Sequence, residues 1–257
     1  MKNAIKTDFL RAFGTKKFFL TVIVMFCVWQ INSLRFTYVQ DVMYAYVYTK
    51  GLSITTLLAM VVASSVYCSS YSEECEHDLL KYFLLRITKK QYIISKIVTC
   101  FVSAFAVSLL GSLIFVLFQS FSLPVIAENS VAVSNFKPLS CFGDLLPYHP
   151  WVFIGLQIVM DSLCCSCISV FALAISTFIP NIYVALALPM ILYYFLYYFF
   201  GYIVKVPDMF QMELTFRIVM TYVDNKFIFM GYAGLVIIVY VFVSVVIMNK
   251  NIERKFR

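Results

Sequence analysis

Long runs without a charged side chain set the terms on which this chain can fold. They are Phe18–Leu34, Gly51–Ser72, Ile97–Ala127, Leu145 up to Lys205 with Asp161 as the one interruption, and Phe227–Asn249. A helix needs about 20 apolar residues to cross about 30 Å of hydrocarbon. The fourth run has room for two crossings, and Ile179-Pro180-Asn181 supplies the turn, since proline and asparagine punctuate helices. The runs therefore predict an all-α polytopic membrane protein with six spans, at about 18–34, 51–72, 93–118, 151–178, 182–204 and 227–248. Composition agrees. The chain is 62% hydrophobic and only 13% charged, against about 25% charged in soluble domains. It reads as one membrane domain over residues 1–257, without internal repeats or a soluble domain.

An even number of spans puts both termini on one side. With the termini in the cytoplasm, fourteen of the twenty Lys and Arg fall inside and six outside, the asymmetry that the positive-inside rule describes. The net charge of +7 then reflects topology and attraction to membrane lipids rather than nucleic-acid binding. The first span runs into "VWQINSLRF", which lacks a small-x-small cleavage site, so it reads as a span and not as a signal peptide. Of eight cysteines, only Cys141 falls in an outer connection, so no disulfide framework is expected.

The connections carry their own patterns. In residues 2–17, Ile5, Phe9, Ala12 and Phe13 recur at helical spacing opposite lysines and Arg11, the pattern of an interfacial helix. Residues 35–50 read as a short, tyrosine-rich outer connection, and 119–150, with four of the seven prolines, as an ordered cap. Residues 205–226 are too apolar for a solvated loop and suggest a short re-entrant segment covered by protein.

Residues 71–96, "YSEECEHDLLKYFLLRITKKQYIISK", concentrate four carboxylates and five basic residues in an otherwise greasy chain. The second span is expected to continue past Ser72 as helix. Leu80, Phe83, Leu84 and Ile87 then form one helical stripe, and Thr88 with Gln91 makes a capping box that starts the next helix. The stripe could lie on headgroups or fill a groove in a protein partner. Glu73, Glu74, Glu76 and Asp78 would be repelled by an anionic leaflet, which favours a protein partner.

This segment resembles the form E-x-E…L…R-x-(S/T)-(K/R)-x-x-Y-x-x-S-K found after the second span in permease subunits of type 2 ATP-binding-cassette exporters. Glu74, Glu76, Leu80, Arg86, Thr88, Lys89, Tyr92, Ser95 and Lys96 stand in those places. The motif covers residues 74–96, and the layout of spans and termini is similar over the whole chain. The chain departs from the family at His77, where glycine is frequent, and at Ile87, where proline is common. The resemblance implies a coupling loop over 73–91 that docks on a separate cytoplasmic ATPase through Glu74, Glu76, Asp78, Leu80, Phe83, Leu84, Arg86 and Ile87. It also implies a second permease copy or sister chain, a multi-pass location in the plasma membrane, that is, the cytoplasmic membrane of a bacterial cell, and a hydrophobic or amphipathic cargo such as a peptide, antibiotic, lipid or drug.

No G-x-x-x-x-G-K-(S/T) phosphate loop is present, since Gly14-Thr15-Lys16 lacks the first glycine. ATP and Mg would belong to the partner, and no catalytic residue, cofactor or metal is expected in this chain. Asp161 is the one carboxylate within a span, and it fits either a substrate path or a structural hydrogen bond. Its helical neighbours Cys164 and Cys165 are a thin basis for a metal site. Tyr193, Tyr194 and Tyr197, deep in the fifth span, fit packing, a dimer contact or a substrate lining. A transporter driven by an ion gradient and a membrane scaffold that recruits a cytoplasmic protein are the rival readings.

Overall fold

The computed structural model describes residues 2–34, 40–49, 54–127, 130–205, 211, 215–221 and 223–255. Among these residues every regular element is a helix. They are α1 (Lys2–Phe13), α2 (Lys16–Ser33), α3 (Val42–Thr49), α4 (Ile54–Ser64), α5 (Ser70–Glu76), α6 (Leu79–Arg86), α7 (Lys89–Ser120), α8 (Val131–Phe136), α9 (Leu145–Tyr148), α10 (Pro150–Ser176), α11 (Ile182–Tyr198) and α12 (Lys226–Lys255). A π-helical turn, Phe199–Ile203, continues α11.

Helix α10 is the axis of the bundle, with α4, α7, α11 and α12 packed around it. It tolerates burial because its hydroxyls are satisfied within the helix. Ser162, Ser166 and Ser169 each donate to the carbonyl four residues back, at 2.7 Å. Their small side chains also let neighbouring helices approach closely. The approach is close where α2 crosses α7: a Cβ added at Gly111 would collide with Met25 Cβ and Cγ. Gly111→Val is therefore expected to cost about 1–3 kcal/mol, read as a lower thermal unfolding midpoint in detergent. Gly231→Val is the control, since a Cβ there meets nothing within 4 Å.

Three helices, α7, α10 and α12, are long and apolar enough to cross a membrane, or up to four spans if α1 and α2, bent by 54°, count as one. The six expected spans are thus met in part. Helix α11 is a shorter apolar helix with Pro189 inside it, and the second expected span is interrupted. Helix α4 stops at Ser64 and helical structure resumes only at Ser70. Within "SSVYCSS", Ser64 and Ser65 donate back to Met60 and Val62 carbonyls at 2.9 and 2.8 Å, the local bonding with which serine competes against a regular helix. A second break follows at His77–Asp78, where Asp78 is left-handed (φ 55°), a conformation that Asp tolerates better than most residues. Helix does run past Ser72, as α5, but it is not continuous with α4: the break at 65–69 corrects the expectation of one unbroken second span.

The two ends of the bundle differ. At one end lie the start of α7, the α10–α11 turn and the last turns of α12, joined by Lys89 to Glu253 at 2.6 Å and by Asn251 Nδ2 donating to Thr177 Oγ1 at 2.7 Å. The capping box holds there: Thr88 Oγ1 accepts from Gln91 N–H, and the Gln91 side chain accepts from Thr88 N–H. Asn181 caps α11 by accepting from Tyr183 and Val184 N–H. The opposite end carries α3, α8 and α9. Residues 42–49, read from sequence as part of a short loop, form a helix buried at Val42, Met43, Ala45 and Tyr46, because Asp41 ties it to the cap. The Asp41 carboxylate accepts from Tyr44 N–H at 2.6 Å, Ala127 N–H at 3.4 Å and the Ser130 hydroxyl. Of the 205–226 stretch expected to hold a short re-entrant helix, 206–210, 212–214 and 222 lie outside the described residues. Of its described part, Phe216, Ile218 and Val219 are buried in the bundle.

Candidate functional site

At the α1–α7 end, four charges meet, three of them buried and Arg11 at the surface. Glu74 and Lys96 are each 1% exposed. Lys96 Nζ lies 2.6 Å from Glu74 Oε1, 3.3 Å from Asp8 Oδ1 and 2.9 Å from Tyr67 Oη. Arg11 reaches Glu74 at 2.5 Å and Asp8 at 4.0 Å. Tyr92 donates to Glu74 Oε2 at 2.7 Å, and Ser95 to Asp8 Oδ2 at 2.5 Å. Burial works against the Arg11 charge, but the hydrogen bond and attraction of Glu74, with Tyr67 and Asp8 adding, hold its pKa above the ordinary value.

Local structure explains the meeting. Asp8 and Arg11 are one turn apart on α1. Tyr92, Ser95 and Lys96 are at i, i+3 and i+4 on α7, hence on one face. The break at 65–69 carries Tyr67, and Glu74 follows on α5. Two acids and two bases leave the cluster formally neutral, which is how buried charge is tolerated. It binds α1, the α4–α5 junction and α7 into one unit.

This geometry redistributes the docking set read from the sequence. Glu74 and Leu80 are buried, so neither offers a surface to a partner. Phe83, Leu84 and Ile87 are half-buried against the core. The outward face of α6 is instead Leu79, Tyr82 and Leu85, with Leu85 84% exposed. The stripe Leu80–Phe83–Leu84–Ile87 is thus the inner face, a correction to the sequence reading. Glu76, Asp78 and Arg86 are exposed, and Lys81 lies 3.9 Å from Asp78. Beside α6, Cys75 and Glu76 form one wall of a cleft of about 390 Å³ whose other wall is Pro180–Tyr183. Exposed Phe178, Ile179 and Tyr183 extend the apolar surface there.

The second constellation surrounds Asp161, near the middle of α10. Tyr46 donates to Asp161 Oδ2 at 2.9 Å and Gln157 Nε2 to Oδ1 at 2.8 Å. Gln157 Oε1 in turn accepts the Ile218 N–H at 2.8 Å, so one carboxylate ties together α3, α10 and the 215–221 segment. Asp161 also lines a cavity of about 40 Å³ with Trp29, Tyr193, Phe216, Arg217 and the two thiols Cys164 and Cys165, room for water. Tyr194 and Tyr197 are not in its lining; Tyr194 is exposed with its ring 4.4 Å from that of Tyr198. Among the described residues no three His, Cys, Asp or Glu side chains cluster as metal ligands. Gln157→Leu keeps the volume but takes the acceptor from the buried Ile218 N–H and one donor from Asp161, and is expected to cost about 1–3 kcal/mol, measured as a lowered unfolding midpoint beside a smaller loss in Gln157→Glu.

Sequence reasoning missed Asp8, Arg11 and Lys96 as an internal cluster, and Tyr46, Gln157 and Arg217 as companions of Asp161. The available signals were Gln157 one turn before Asp161, and the Tyr92–Ser95–Lys96 spacing on one helical face. Compared with protein-family models, with curated proteins and with solved structures, the chain matches none.

Proposed function

We propose that the chain is the membrane subunit of a type 2 ATP-binding-cassette exporter, with six spans and both termini in the cytoplasm. The observation that carries this reading is the outward apolar face of α6, Leu79, Tyr82 and Leu85, on a helix anchored beside a rigid buried ion cluster. An exposed apolar face among charged residues on a soluble-side helix is the kind of surface that a protein groove grips. The basic residues around it fit the cytoplasmic side. Six spans require α4 and α11 with its π turn to cross beside the four candidate spans.

In this mechanism a separate cytoplasmic ATPase binds ATP and Mg and closes on α6 and on the adjoining cleft at Glu76 and Tyr183. The ion cluster passes the displacement to α1 and α7. Two permeases, identical or sister chains, enclose the path of a hydrophobic or amphipathic cargo in the plasma membrane of a bacterial cell. Asp161, Tyr193 and the cavity they share are the proposed contact with cargo or the gate to it. The direct experiment is ATP hydrolysis by a candidate ATPase subunit in proteoliposomes with and without this chain. Stimulation by the chain is expected, and its absence removes the reading.

A second reading draws on the same cavity. Asp161 with Arg217 at membrane depth suits a transporter driven by an ion gradient. Transport that stops with a protonophore and persists without ATP would select it.

A further inference from the structure

A cleft of about 290 Å³ runs between the first turns of α7 and the last turns of α12. Ile93, Ile94, Val245 and Val246 line it, with Lys90 and Asn249 at one end. Both helices are long and apolar enough to cross a membrane, and Ile94 and Val246 are exposed along the cleft. The volume is far more than a water site needs, and its apolar walls give water no partners.

The charged end is specific. Lys89 is committed to Glu253 at 2.6 Å, and Glu253 also accepts from Asn249 Nδ2 at 3.3 Å. Lys90 is exposed and makes no hydrogen bond or ion pair with any described residue. Among the described residues no acid pairs with its charge, which sits in the first turn of α7, where the helix dipole adds to it. Ile93 and Ile94 follow about one turn, or about 5 Å, further along the axis, the scale of the headgroup layer above the hydrocarbon. A cation at headgroup level over an apolar slot is complementary to a lipid phosphate over its acyl chain.

We infer that this cleft binds one acyl chain of an anionic phospholipid whose phosphate pairs with Lys90. The site needs only that α7 and α12 span the membrane, and it holds whichever energy source drives the protein.

The test is native mass spectrometry of the detergent-purified full chain, titrated with phosphatidylglycerol or phosphatidylcholine of matched acyl chains. The native chain should retain phosphatidylglycerol about fivefold more strongly, the share of one lysine near a headgroup. Lys90→Glu and the milder Lys90→Gln should bring the two lipids to parity, while Lys90→Arg keeps the preference. Ile94→Trp, which fills the slot, should reduce retention of both. Equal retention by the native chain, or a preference that survives in both Lys90→Glu and Lys90→Gln, overturns the proposal. So does a lipid-independent dimer that Ile94→Trp converts to monomer, which would assign the cleft to a second copy of the chain.

Discussion

Lys96→Met is expected to be among the most destabilising single changes in this chain. The lysine is the centre of the buried cluster, in contact with Glu74, Asp8 and Tyr67. Without it Asp8 keeps Ser95 and a long contact to Arg11, and Glu74 keeps Arg11 and Tyr92. Removing one partner of a buried pair costs about 3–5 kcal/mol. The remaining Arg11 contact places the loss near the lower end, about 3 kcal/mol. The compensated variant Glu74→Leu with Lys96→Met restores neutrality, leaving Asp8 and Arg11 to each other, and should recover most of that loss. Unfolding midpoints in detergent across the four forms of this cycle give the coupling directly. A single variant as stable as the native chain, or a double variant worse than the sum of its parts, would remove the cluster from the account of the fold.

Leu85→Asp should have the largest effect on function with almost none on folding. Its side chain is 84% exposed, so a charge there meets water in the isolated subunit. In a complex, the same charge would be driven into an apolar groove. Central interface residues carry about 2 kcal/mol or more, about thirtyfold in affinity. Chain-stimulated ATP hydrolysis is accordingly expected to fall by about that factor at subsaturating ATPase, with the unfolding midpoint unchanged. Leu84→Asp separates the two faces: Leu84 packs against the core, so that change should lower stability. Unchanged hydrolysis in Leu85→Asp would mean that α6 is not where the partner grips.

The parts of this structure that were legible in the sequence are those set by local rules. Thr88 and Gln91 announce their capping box within four residues, and Pro180-Asn181 marks the α10–α11 turn with Asn181 as the cap. The long helices α7, α10 and α12 followed from long apolar runs, that of α10 interrupted only by Asp161. The orientation of α6 was not legible, because "LLKYFLLR" is apolar on more than one side. Leu80 and Leu85 are equal candidates for burial until packing against the core chooses Leu80. Glu74 is a similar case. Its partners Arg11 and Lys96 lie 63 residues before and 22 after it, so nothing nearby showed that its charge was already satisfied. Helix α3 was missed because its burial depends on Asp41 reaching the distant Ser130. The break at 65–69 required weighing serine back-bonding against an otherwise apolar helix.

The most direct measurement is site-specific photocrosslinking from α6 in membranes that contain the chain and a candidate ATPase subunit of the proposed exporter. A photoreactive phenylalanine analogue at Tyr82 or Leu85 should yield an adduct with that ATPase, and the same group at Leu84, on the inner face, should yield none. Adducts from Tyr82 and Leu85 with lipid alone, or equal yields from all three positions, would contradict the claim that this face of α6 is gripped by an ATP-hydrolysing partner.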